Sequence, residues 1–155
     1  MGLFSKLADA VTGSWVKVHL QWAEPVLGKP MTVKVNADGV KSAKDIEGVY
    51  VQVVAEEKVT VPNVHVAEMV AGVLQERVQD VTHAAVTFSQ KYPLAGPQPL
   101  QPEQTYEWSG TITLPPEARS TYMGVNASHS WRIMAGLEVK GNDPDSGWTV
   151  ITVGR

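Results

Sequence analysis

The side chains with chemical potential are few and scattered. Four histidines stand at 19, 65, 83 and 129, and the spacings between them match no close metal-ligand pair such as a His-Glu-x-x-His helix. A histidine inside an alternating strand is more often packed or solvated than metal-bound, so no zinc site is read here. Asn142, Asp143 and Asp145 form an acidic turn. Its register does not meet that of an EF-hand, and Asp-Pro followed by Ser-Gly is what a tight hairpin turn needs. Glu56 and Glu57 are adjacent, and neighbouring strand residues point to opposite faces, so the pair would not converge on one substrate. No nucleophile elbow, phosphate loop or dinucleotide fingerprint occurs. The chain is therefore expected to be non-enzymatic, with no catalytic residue, no cofactor and no metal.

Composition narrows the classes further. The 155 residues suffice for a domain that buries about 70% of its unfolded surface without staples. There are no cysteines, which excludes a disulfide framework, a thiol nucleophile and a cysteine-ligated metal. Thirteen basic and 16 acidic residues give a net charge of −3, with no dense basic run, which argues against nucleic-acid binding. No apolar run is long enough to span a bilayer, and no signal peptide is read at the start. Myristoylation is not expected, because Lys6 stands where serine or threonine is wanted. The Asn126-Ala127-Ser128 sequon is taken as chance in a chain expected to be cytoplasmic.

The elements that would position any site are strands. In WVKVHLQWA, Val16, Val18, Leu20 and Trp22 alternate with Trp15, Lys17, His19 and Gln21. EPVLGKP then turns the chain, and MTVKVN alternates again. IEGVYVQVVAEE places Val49, Val51 and Val53 on one face, with Tyr50, Gln52 and Val54 on the other. EQTYEWSGTITLPP points Tyr106, Trp108, Gly110, Ile112 and Leu114 inward. The most regular stretch is HSWRIMAGLEV, which faces His129, Trp131, Ile133, Ala135, Leu137 and Val139 towards a core. NDPDSG closes a hairpin into a last strand, WTVITV. Period-2 strands at this spacing predict an antiparallel sandwich of two sheets.

Two segments depart from that pattern. KVTVPNV reads as extended, with Pro62 marking an edge or bend. VAEMVAGVLQERV fits a helix through Val66, Val70, Val73 and Arg77, or a loop leading to a strand near 76–91. The proline-rich PLAGPQPLQPEQ reads as a long inter-strand loop. At the N-terminus, residues 1–13 have helical spacing, with Leu3, Phe4, Leu7 and Val11 on one side; residues 14–155 form the sandwich. These four are the candidate partner-binding residues. Docking on the sandwich or on a second copy ranks first, then another protein, then peripheral contact with a membrane, since one Lys and one Asp give no attraction to anionic lipid.

The ordered set GLFSKL, PVLGKPMTVKV, DIEGVYVQVV, LQPEQTYEWSGTITLPP and HSWRIMAGLEVKGNDPDSGWTVITV resembles the bacterial sporulation-control family of arrestin-like proteins. The resemblance implies an all-β, arrestin-like, immunoglobulin-type sandwich acting as an adaptor or regulator through protein–protein interaction, in sporulation or stress control. Members carry two such lobes and a tail, and this sequence corresponds to the first lobe. A homo-oligomer is also expected. The alternative is a carbohydrate- or small-ligand-binding sandwich using exposed aromatics, for which Trp15 and Trp148 are the indoles out of phase with the core.

Overall fold

The computed structural model describes residues 15–155 and the backbone of Lys6–Ala8. Its strands are β1 (Lys6–Ala8), β2 (Lys17–Trp22), β3 (Pro30–Asp38), β4 (Lys44–Ile46), β5 (Gly48–Val70), β6 (Val73–Ala95), β7 (Gln98–Leu100), β8 (Tyr106–Thr113), β9 (Tyr122–Met123), β10 (Ala127–Glu138) and β11 (Thr149–Ile151). Among the described residues there is no helix. One sheet runs β1-β2-β3-β8 and a second runs β11-β10-β5-β6, with β9 also on β10; β4 and β7 form a separate pair. All strand pairings are antiparallel.

The core forms where the two sheets' inner faces meet. Val18, Leu20 and Trp22 of β2 and Met31, Val33 and Val35 of β3 are buried against Val49, Val51 and Val53 of β5 and Trp131, Ile133 and Leu137 of β10. The alternation of β2, β3 and β10 therefore translates directly into burial. Two positions on the outer face of β5 are also covered, Tyr50 and Val54. Val54 lies opposite Arg132, and the Tyr50 ring lies across Gly136. Outer-face side chains with long apolar stems shield their cross-strand neighbours.

The helix expected over residues 1–13 is not supported. Its described part, Lys6–Ala8, is extended and pairs with β2 in the register Lys6↔Trp22 and Ala8↔Leu20. Leu3, Phe4 and Val11 lie outside the described residues, and Leu7 is placed by its backbone alone, opposite Gln21. The helical reading of 66–78 is also corrected. Residues 48–95 form one long hairpin whose strands are 23 residues each. Its two-residue tip, Ala71-Gly72, has φ of 52° and 78°, the left-handed pair of a type I′ turn, and it keeps Val70 opposite Val73. Gly72 adopts this conformation at no steric cost, whereas Ala71 does so under mild strain.

Pro62 is accommodated as its lack of an N–H requires. Pro62 and Asn63 together oppose Asp80 in a bulge, Asn63 has φ 56°, and its N–H donates to Asp80 Oδ1 at 3.1 Å. The proline-rich stretch after the hairpin is partly ordered as β7, which pairs with β4. The acidic turn is structural. Asp143 accepts from Val139 N and from the Tyr50 hydroxyl, and Asp145 accepts from Gly147 N.

Candidate protein-interaction surface

Sheet β11-β10-β5-β6 is longer than the sheet that covers it. β10 accompanies β5 from Gly48 to Val59, and beyond Thr60, whose N–H donates to the Asn126 carbonyl, only β6 pairs with β5 among the described residues. From Thr60 to Ala71 the ribbon extends about 35–40 Å at the rise of an extended strand. Val61, Met69, Val73, Leu74 and Val78 on it are all exposed, Met69 to 66%, as is Val86 at its base. Ionic and polar contacts on the ribbon are sparse. Arg77 pairs with Glu68 at 3.6 Å, and the Thr60 and Thr82 hydroxyls meet at 3.0 Å.

The base of the ribbon is held firmly. Phe88 of β6 packs on Trp131 with ring centroids 5.4 Å apart, and Trp131 Nε1 donates to the Arg119 carbonyl at 2.9 Å. His129 is buried edge-on to the same indole. Its Nδ1 lies 3.2 Å from the Ser120 carbonyl, which can only accept, so Nδ1 carries the proton; Nε2 then accepts from the Thr87 hydroxyl at 2.7 Å. Arg119 reaches Glu57 at 2.9 Å. Together these contacts bind β5, β6, β10 and the segment before β9 into one anchor. Beside it, Tyr122, Met123 and Val125 add exposed apolar surface, with Val125 fully exposed.

The histidines are dispersed as their spacing predicts. His19 faces Asp38 at 3.2 Å, His65 and His83 stand on the ribbon, and His129 belongs to the anchor. Among the described residues, no three His, Asp or Glu side chains come close enough together to hold a metal ion. Glu56 and Glu57 point to opposite faces, opposite Ser130 and His129 respectively. Of the two indoles proposed for ligand stacking, Trp15 is buried with the Lys44 ammonium 4.9 Å from its ring centroid. Trp148 is 43% exposed, but the Arg132 guanidinium sits 4.8 Å from its ring centroid. Neither indole is an open platform.

A shallow cleft of about 340 Å³ lies at the other end of the hairpin, lined by Glu47, Tyr50, Lys91, Pro93, Gly96 and Glu138 among others. Lys91 lies 3.8 Å from the Tyr50 ring centroid and 3.3 Å from Glu138 Oε1. Burial first, and then the hydrogen bond to Asp143, push the Tyr50 hydroxyl well above the ordinary phenol range. The folded state thus holds this proton more tightly than the unfolded chain does. The stability this confers is complete below the unfolded phenol value of about 10 and is lost as pH rises from there towards the folded value. Thermal melts from neutral pH upward should therefore show a loss of stability that starts near pH 10. Tyr50→Phe should reduce that loss, and an unchanged alkaline limb would contradict the assignment. Burial raises the Tyr92 hydroxyl as well, so a residual alkaline loss should remain in Tyr50→Phe.

The ribbon's apolar residues were not singled out from the sequence as a surface. Their signal is the run from Val59 to Val86, where valines occur on both alternating phases. That pattern accompanies either a strand covered on both faces or one that is covered only in an assembly.

No family model matches the chain, and no curated protein matches it significantly. Among solved structures, it is similar to the sporulation control protein Spo0M of Bacillus subtilis, with a TM-score of 0.60 and 17% sequence identity, over 92% of this chain. The protein is thus an all-β protein with a Spo0M-like fold. The match covers 50% of the Spo0M chain, so this chain spans about half the length of that neighbour. Among the described residues, no helix is long and apolar enough to cross a membrane.

Proposed function

We propose that this protein is a non-catalytic, arrestin-like adaptor or regulator that acts through protein–protein contact in the cytoplasm, in a process such as bacterial sporulation or stress control. The single observation that carries the reading is the β5–β6 ribbon. An isolated two-stranded ribbon is marginal in water, and long unpaired edges invite pairing with another chain. This one nevertheless exposes Met69, Val73, Leu74 and Val78 well beyond the sandwich. Its rigid base at Trp131 and Phe88 lets the sandwich present it as a probe. The likeness to a sporulation control protein supports a regulatory setting, and the candidate surface moves from the N-terminal apolar residues to the ribbon.

A photo-reactive residue at position 74, introduced into the full chain in its host, tests this. Cross-links from the ribbon tip to polypeptide are expected, and they should be lost when residues 60–82 are replaced by a two-residue Asn-Gly turn between Val59 and His83. Cross-links that survive this shortening at a control site on the sandwich, with none from position 74, would overturn the assignment of the ribbon.

A further inference from the structure

The ribbon's two faces differ. Register and alternation place Val59, Val61, Val64, Val66 and Val70 of β5, with Val81 opposite Val61, on the face that continues the sandwich's own inner surface. In the body, that surface is covered by strands β2 and β3; in the ribbon nothing among the described residues covers it. The bulge at Pro62-Asn63 keeps this stripe in phase, because it shifts β5 by one residue while β6 continues unbroken. The β5 side of the overhang thus continues the apolar inner surface, with no sheet covering it among the described residues, while β6 adds Gln75, Arg77, Gln79 and His83 beside it.

We infer that the missing half is the same stripe of a second copy, and that two chains associate with their ribbons packed face to face about a two-fold axis near Val64. This rests on the reading of the ribbon as a protein-interaction element and names the partner of its inner face; Met69, Leu74 and Val78 lie on the other face. Three observations favour a second copy. First, the stripe from Val59 to Val70 is centred near Val64, so a two-fold axis there lays the tip valines of one chain over the base valines of the other. Second, the charged groups on this face are compensated within the chain, Glu68 by Arg77 and Glu57 by Arg119, so like faces do not repel. The opposite face carries Glu56, Glu76 and Asp80 against Lys58, and would repel its own copy. Third, Val59, Val61, Val70, Val73 and Val81 on this face are 36–60% exposed, an apolar row that the same row of a second copy would cover.

Sedimentation equilibrium of the full chain at tens of micromolar should report twice the chain mass of 16.8 kDa. The double substitution Val64→Glu with Val66→Glu should give a monomer whose circular dichroism is unchanged, since both side chains lie on the ribbon. Val78→Glu with Val86→Glu, on the opposite face, should leave the dimer intact. The chain has no cysteine, so Val64→Cys provides a unique handle. A short bis-maleimide should join two such chains, while Val150→Cys, on the outer face of β11, should not be joined. A dimer that resists the Val64/Val66 pair but falls to the Val78/Val86 pair overturns the inference. So does a wild-type monomer. If that monomer still gives cross-links from position 74 to another polypeptide, only the second-copy inference fails. If it instead floats with phosphatidylcholine vesicles and gives no such cross-links, the ribbon is a membrane probe and both readings fail.

Discussion

Trp131→Ala is expected to lower the unfolding free energy by about 3–5 kcal/mol, enough to shift the melting temperature by roughly 10 °C in a chain of this size. Three losses combine at this position. The indole is 1% exposed, so its removal opens a cavity at the centre of β10. The Arg119 carbonyl loses the Nε1 donor, a hydrogen bond worth a net of about 0.5–1.5 kcal/mol. Phe88 and His129 each lose the ring against which they are seated. Denaturant unfolding measures the sum, and Trp131→Phe should recover part of it by keeping an aromatic ring and part of the volume without the donor. Because Phe88 belongs to β6, hydrogen exchange should accelerate at the ribbon base in the alanine variant more than at β2 and β3. A cost below about 1 kcal/mol would be that of a surface substitution, and would mean that Trp131 does not anchor the ribbon.

Gly136→Val is expected to cost about 2–3 kcal/mol by overpacking. A Cβ built on Gly136 would lie 2.5 Å from Cζ of the Tyr50 ring directly across the strand pair, so the ring must leave. It would lose its bond to Asp143 Oδ2 and its contact with Lys91. Combining Gly136→Val with Tyr50→Ala should therefore be strongly non-additive, since the second change removes the obstacle that the first one meets. Chemical denaturation of the two single variants and the double variant reads the coupling directly. Additive costs would mean that the ring and the glycine do not constrain one another. This pair explains why a glycine stands in the middle of an otherwise bulky strand, a position where it would ordinarily weaken pairing.

Much of the sandwich was legible because its signal is local. In β2 and β3 every second residue is apolar and buried, and in β10 every second position from His129 to Leu137 is buried. Pro62 marked an edge or bend, which the structure realises as a bulge, and Asn142-Asp143-Pro144 marked the turn, through the missing donor and the side-chain bonds that those residue types bring. The candidate surface was harder to read. Val66, Val70, Val73 and Arg77 fit a helical face as well as they fit a ribbon, because short valine-rich runs satisfy both periods. The N-terminal apolar residues drew attention because helical spacing is conspicuous, yet Lys6–Ala8 took the free edge of β2 instead. Trp15 looked outward by phase, but it is buried beneath Lys44, which approaches from β4.

The sequence by itself determined the alternation and hence an antiparallel all-β fold, since which residues shun water along a strand depends only on residue type and a period of two. Only the tertiary structure decided that residues 58–91 are strand throughout. β5 is already committed to β10 from Gly48 to Val59, so extending it costs less than nucleating a helix there, and Ala71-Gly72 returns the chain in register. It alone also decided that this hairpin outruns its covering sheet. That is a matter of relative strand lengths on two different layers, a quantity that no local pattern encodes, and it is what leaves a valine stripe uncovered among the described residues.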